Sequence, residues 1–164
     1  IFMKITGPDG PIAGESVNMS FRDHVDALSF GQASTAACAA TSGGSRDACQ
    51  ANTGNFFLQV KFDKSLNILR RHMYRGTALP RVELFFVQNT GIDKPQTYYS
   101  IRMDNVFLVS ISDAKNNDNE SNAIQFELDP QKIGWTHHPQ GPDGKLLTPV
   151  KFGWDRGANT EWSF

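Results

Sequence analysis

The sequence predicts a mainly β chain, a small antiparallel β-barrel or a sandwich of two sheets, with one flanking α-helix over about residues 64–75 and an extended loop over about residues 33–54. Three observations predict it. Apolar and polar residues alternate through most of the chain, the apolar spacing becomes helical once, and clusters of Gly, Pro, Asn and Asp separate the alternating runs. At 164 residues and 18.2 kDa the chain has the size of one domain spanning 1–164, large enough to bury about two thirds of the surface its unfolded form exposes.

Ile1, Met3 and Ile5 share one parity and make the first strand, which ends at the turn Gly7-Pro8-Asp9-Gly10. From Ala33 to Gly54 no apolar periodicity is present, and an unpatterned segment of that length is usually either functional or disordered. Phe56, Leu58, Val60 and Phe62 then face one way, with Phe57, Gln59 and Lys61 on the other side. After Asp63, read as an N-cap, Leu66, Leu69 and Met73 recur at helical spacing, Arg70, Arg71 and Arg75 gather near the C-terminal end, and Gly76 supplies a left-handed stop.

Val82, Leu84 and Phe86 alternate, as do Tyr99, Ile101 and Met103, each set following or preceding turn residues at Asn89-Thr90-Gly91. The run Val106 to Ile111 is apolar nearly throughout and predicts a central strand covered on both faces. After the turn at Asn116-Asn117-Asp118-Asn119, Ile124, Phe126 and Leu128 share one parity, and Ile133 and Trp135 the other; a bulge or break at Pro130 accounts for the change. Gly141-Pro142-Asp143-Gly144 is a further turn, and Val150, Phe152 and Trp154 form the last strand. Phe56, Phe62, Phe86 and Phe126 are expected in the core, where each ring contributes on the order of 2 kcal/mol.

Composition excludes several functions. Sixteen Lys and Arg against seventeen Asp and Glu give a net charge of −1 with no basic block, so neither nucleic acid nor membrane insertion is expected. No Sec leader is recognisable at Ile1-Phe2-Met3-Lys4-Ile5, so such a signal is absent or already removed.

His24, His72 and the pair His137-His138 lack the spacing of a helical metal site and read as solvated loop residues; Asp9, Asp143 and the Asn116 to Glu120 run read as turn chemistry before calcium chemistry. No nucleophile elbow or phosphate loop is present, and no catalytic residue, metal or cofactor is expected.

Cys38 and Cys49 are the only cysteines; a bridge between them and a pair of free thiols both stand open, the bridge being worth roughly 3 kcal/mol in the chain-entropy picture, discounted because the fold does not require the loop it closes. Trp162 and Phe164 lie beyond the last strand and are candidates for a contact surface.

Taken in order, these segments resemble the Hcp family, the tube protein of the bacterial type VI secretion system, over nearly the whole chain. Gly14-Glu15-Ser16 is similar to the family's Gly-Glu-Ser after strand one, and His24 to Phe30 to its second strand. Asp63-Lys64-Ser65, the helix and Gly76 resemble its strand-to-helix segment, Tyr98 to Ser112 its central strands, and Gly153-Trp154 its closing strand. Each motif is common strand or turn language; their order carries the likeness. The two cysteines and the Trp162–Phe164 tail have no counterpart in that pattern.

The resemblance implies an Hcp-like β-barrel that closes into homo-hexameric rings. The rings stack into a tube associated with a spike protein, a contractile sheath and effector proteins carried in the lumen. Assembly takes place in the bacterial cytoplasm and export through the apparatus needs no Sec signal. It also implies that the extended loop reaches neighbouring subunits, which makes Gln32, Ser34, Thr35, Arg46, Asp47 and Asn52 interface candidates. The alternative is a monomeric secreted β-sandwich that binds a carbohydrate or a protein.

Overall fold

A computed structural model describes residues 1–38, 49–89, 95–114 and 123–164. Nine strands and one helix follow in the order β1 (Phe2–Gly7), β2 (Gly10–Ile12), β3 (Val25–Ala37), β4 (Gln50–Lys61), α1 (Leu66–Arg75), β5 (Leu79–Gln88), β6 (Gln96–Ala114), β7 (Ala123–His137), β8 (Val150–Asp155) and β9 (Thr160–Glu161). All pairings are antiparallel, in the order β4-β3-β1-β5-β6-β7, and β7 pairs back onto β4. The sheet therefore closes on itself, which makes the architecture a barrel and removes most of the edges an open sheet would expose.

Alternation explains which side is full. Phe56, Val60, Leu84, Met103, Val106, Ile124 and Ile133 have no exposed surface, and one continuous apolar cluster fills the barrel. Phe126 is buried and Phe86 is partly buried against that cluster, but Phe62 lies beyond the end of β4 and is half exposed, contrary to its expected core place.

The segment from Val106 to Ile111 is not covered on both faces. Val106 and Leu108 point inward, while Phe107 and Val109 are 42% and 47% exposed on the outer side. In a closed barrel only one face is enclosed, so an unbroken apolar run leaves half of its side chains outside.

Nor does the chain break at Pro130. β7 runs through it in register with β6, Val106 opposite Pro130 and Asp104 opposite Lys132. Buried parity changes in both strands at one level instead, at Asn105, which has φ 52°, and at Gln131 beside it. The other edge of β7 is taken by β4 along Ala123–Leu128 and by β8 along Lys132–His137. Pro130 falls in the gap between them, where a residue without an N–H is tolerated.

The helix begins later than the sequence suggests. Ser65 is the N-cap, with no side-chain cap bond, and the Asp63 carboxylate accepts the Ser65 N–H at 2.8 Å in the turn before it. At the other end Gly76 has φ 61°, with its own N–H and that of Thr77 closing onto Met73 and His72 carbonyls. Leu66, Leu69 and His72 are the buried residues of α1, so His72 is a helix-face residue against the barrel and not a solvated loop histidine. His137 closes β7, paired with Tyr99 and Val150.

Candidate functional site: a stapled arm on a closed barrel

The described ends of the segment expected to be an unpatterned loop, residues 33–38 and 49–54, form a two-stranded arm. β3 and β4 stay paired beyond the barrel, through Ser34 opposite Thr53, Thr35 opposite Asn52 and Ala37 opposite Gln50. Periodicity did not reveal it because an arm that leaves the barrel has no apolar face to bury: 33–38 and 49–52 are exposed, and only Thr53 at its root is enclosed. Pairing is held instead by the backbone ladder, with a register shift between Gln32 and Ser34 where the arm departs; the Gln32 amide donates to the Ser34 hydroxyl across it at 2.9 Å. Arg46 and Asp47 lie outside the described residues.

Cys38 and Cys49, one residue past each end of the ladder, are joined as a disulfide with Cα atoms 4.2 Å apart. The bond staples the arm at its far end and touches none of the barrel core. Reduction is therefore expected to shift the barrel's Tm by no more than about 2 °C, while the arm is cut several-fold faster in limited proteolysis. Thermal unfolding and thermolysin digestion with and without a dithiol reductant check this.

At the opposite end of β3 the residues singled out by the family pattern meet. The Glu15 N–H donates to Asp63 Oδ2 at 2.7 Å, so one carboxylate ties the start of α1 to the strand-one crossover. Gly14 and Ser16 donate to the Asp23 and His24 carbonyls at 2.7 and 3.0 Å, and Ser16 is buried. A Cβ at Gly14 would land on the His24 carbonyl, so the approach is one that glycine permits. Lys64 lines the cleft beside this junction, about 560 Å³ in volume, with the exposed Val17 and Met19 at its rim.

The tail does not project. Trp162 donates its N–H to the Gly153 carbonyl at 2.9 Å, and its ring stacks on Phe164 at 5.1 Å. Gly134 and Gly153 face each other across β7 and β8, and the Phe164 ring occupies the space their missing side chains leave. The Arg102 guanidinium sits 5.1 Å from the Trp162 ring centre, and Lys151 sits 5.2 Å from that of Phe164. Both rings are half-buried, largely against their own sheet. On the face of β8 opposite to Gly153, Trp154 stands in line with the half-exposed Phe152 and with Trp135 of β7.

Charge on the barrel wall is paired. Arg81 and Arg102 both donate to Asp104, the closest contacts being 2.9 and 2.8 Å. Burial works against the Asp104 charge, but the two guanidiniums outweigh it and hold the carboxyl below its usual range. Such a group stabilises the fold above the unfolded carboxylate value near ~3.9, and that contribution is lost as pH falls through the lower folded value. Asp104→Asn is thus expected to cost about 1 kcal/mol at neutral pH, the difference from the parent closing below about pH 4. Urea titrations at a series of pH values measure it.

Among the described residues no three His, Cys, Asp or Glu side chains come together as a metal site. What the geometry brings together is surface: the arm, and apolar side chains on the outer wall. Phe57, Phe107 and Val109 are 55%, 42% and 47% exposed on β4 and β6, the two strands that flank β7. Phe57 was legible as an outward ring from its parity, whereas Phe107 and Val109 were hidden inside the apolar run.

Residues 2–137 match the family model described as type VI secretion system effector, Hcp. The chain belongs to the Hcp family. Solved structures share its fold across nearly their full length. A structure titled as that of a type six secretion system protein superposes with a TM-score of 0.84 at 16% identity, covering 98% of this chain and 99% of its own. Hcp1 from Salmonella typhimurium gives 0.76 at 19% identity, covering 98% and 97%. The secreted protein Hcp3 from Pseudomonas aeruginosa gives 0.66 at 21% identity, covering 92% and 96%. No curated protein matches the sequence significantly. Identities this low show a shared fold. The strands β8 and β9 and the aromatic tail lie outside the span of the family match.

Proposed function

We propose that the chain is the structural subunit of a type VI secretion tube. Six copies close into a ring, rings stack, and effectors travel in the lumen of the tube that a contractile sheath drives outward behind its spike. Assembly takes place in the bacterial cytoplasm, and the protein leaves through the apparatus it builds. The role is architectural and not catalytic.

The observation that carries this reading is the arm of β3 and β4, exposed on both faces and without a charged side chain among its described residues 33–38 and 49–55. A ring is built from a heterologous contact, in which two different patches of each copy meet. The arm supplies one patch, with Gln32, Ser34, Thr35 and Asn52 as its contact residues. The outer wall, where the exposed Phe57 and Phe107 flank Glu127 and Asp129 of β7, supplies the other. Family membership gives the system in which such a ring works.

Multi-angle light scattering with negative-stain imaging tests the reading. A particle of about six times the 18.2 kDa chain mass, with ring-shaped views, is the expected result. Thr35→Lys with Asn52→Lys, which sets two charges on the arm without touching the core, is expected to shift the particle to monomers. A parent protein that stays monomeric at high concentration sinks the proposal.

A further inference from the structure

We propose that the Cys38–Cys49 pair is a redox switch on the contact between copies: the disulfide orders the arm in advance, whereas the dithiol leaves it to order on contact. The inference rests on the reading of the arm as a ring contact. Beyond the barrel the arm has four rungs, Ser34 opposite Thr53, Thr35 opposite Asn52, Ala36 opposite Ala51 and Ala37 opposite Gln50. Of these residues only Thr53, at the root, is buried, and no charged side chain stands among 33–38 and 49–55 to tie the strands. A two-stranded ribbon without an apolar face is marginal in water by itself, and its free end frays first. The bridge lies one residue past the last rung, so it holds the arm where the ladder is weakest.

Both cysteines are exposed on a single copy and lie apart from the core cluster, so the bond opens and closes without unfolding the barrel. Closure is a thiol–disulfide exchange with a low-molecular-weight disulfide. One cysteine thiolate attacks that disulfide and releases a small thiolate; the second attacks the protein sulfur of the mixed disulfide and releases the other. Two protein thiols and one small disulfide thus become one protein disulfide and two small thiols, which carry away both electrons and both protons. The exchange takes place on copies free of the ring and in equilibrium with it, so it needs no access within a closed ring.

The two states differ in what association must order. In the disulfide form the arm is held in its paired geometry before a neighbour arrives; in the dithiol form the cost of that ordering falls on each contact. Every copy in a ring makes the same contact, so the difference acts at each of them. In a reducing cytoplasm, where disulfides are rare, the chain stands as the dithiol and closes rings reversibly. In oxidising surroundings outside the cell the bridge forms and the rings hold to lower concentration.

The test compares the full chain oxidised with glutathione disulfide and reduced with a dithiol, by sedimentation velocity over a concentration series. The disulfide form is expected to reach half assembly at about tenfold lower concentration. Cys38→Ser with Cys49→Ser is expected to follow the reduced protein in both buffers. Its cross-strand amides within 34–37 and 50–53 are expected to exchange about tenfold faster than in the disulfide form, with barrel amides unchanged. Equal half-assembly concentrations in the two states, tighter assembly of the dithiol, a redox response that survives in the double serine variant, or a bridge formed between copies overturns the proposal and leaves the ring reading standing. Monomers in both states at every concentration overturn the ring reading and this inference together.

Discussion

Phe56→Ala is expected to destabilise the protein by about 3–5 kcal/mol, enough to leave a marginal barrel largely unfolded at physiological temperature. Phe56 has no exposed surface. It sits where β4 joins both its neighbours, opposite Gln32 of β3 and Leu128 of β7, at the seam that closes the barrel. Its ring lies 5.9 Å from that of Phe30, which in turn meets Phe86 at 5.3 Å and so bridges to β5. Removing it costs the transfer free energy of the ring and opens a cavity that a closed sheet has little freedom to collapse. Urea unfolding followed by tryptophan fluorescence measures the loss. Phe62→Ala, just past the end of β4 and half exposed, is the control, with a cost below about 1 kcal/mol. Equal losses in the two variants would mean that the seam is not where this barrel is held.

Gly14→Ala is the second large effect, expected at about 2–3 kcal/mol from a single added methyl. The new Cβ meets the His24 carbonyl, which is backbone and already accepts the Ser16 N–H at 3.0 Å. To relieve the overlap the crossover must lift away, which breaks the Gly14 bond to Asp23 and draws Glu15 off Asp63. The start of α1 then loses its tie to the barrel, so the change acts beyond its own position. Comparing urea midpoints and the exchange rate of the Glu15 amide in parent and variant checks both parts. A variant as stable as the parent, with that amide still protected, would contradict the contact.

The family pattern and this contact bear on each other. Gly14, Glu15 and Ser16 are separated from Asp63 by nearly fifty positions, and the sequence offered no spacing that joins them. It showed the two groups only as separate stretches of turn language. Their junction exists because β3 and β4 fold back on each other and carry the start of α1 under the strand-one crossover. The Cys38–Cys49 pair was left open for the same reason: a bridge depends on Cα separation, and that follows from the arm's ladder and not from their sequence separation of 11.

The errors of the sequence reading have a common cause as well. Period-two alternation reports which face is buried, so it is silent where neither face is. That hid the arm of residues 33–38 and 49–54, whose pairing rests on backbone hydrogen bonds that most side chains do not advertise. It also overstated the burial of Phe107, Val109 and Phe62, because an apolar residue outside the barrel looks in sequence like one within it. His72 was misread because helical spacing was counted on aliphatic residues alone, while the buried face of α1 accepts an imidazole beside Leu69.

By itself the sequence determined the strand segments, the single helix with its glycine stop, the absence of a block of like charge and the order of motifs that places the chain in its family. These are properties of local periodicity and turn chemistry, and neighbouring residues suffice to encode them. Only the tertiary structure decided that the sheet closes, that the arm pairs and is stapled, that the tail lies against Gly134 and Gly153, and that β7 leaves part of the β4 edge without a described partner. Each of those joins residues far apart in the chain, and such contacts are chosen by the packing of the whole barrel rather than by the preference of any one segment.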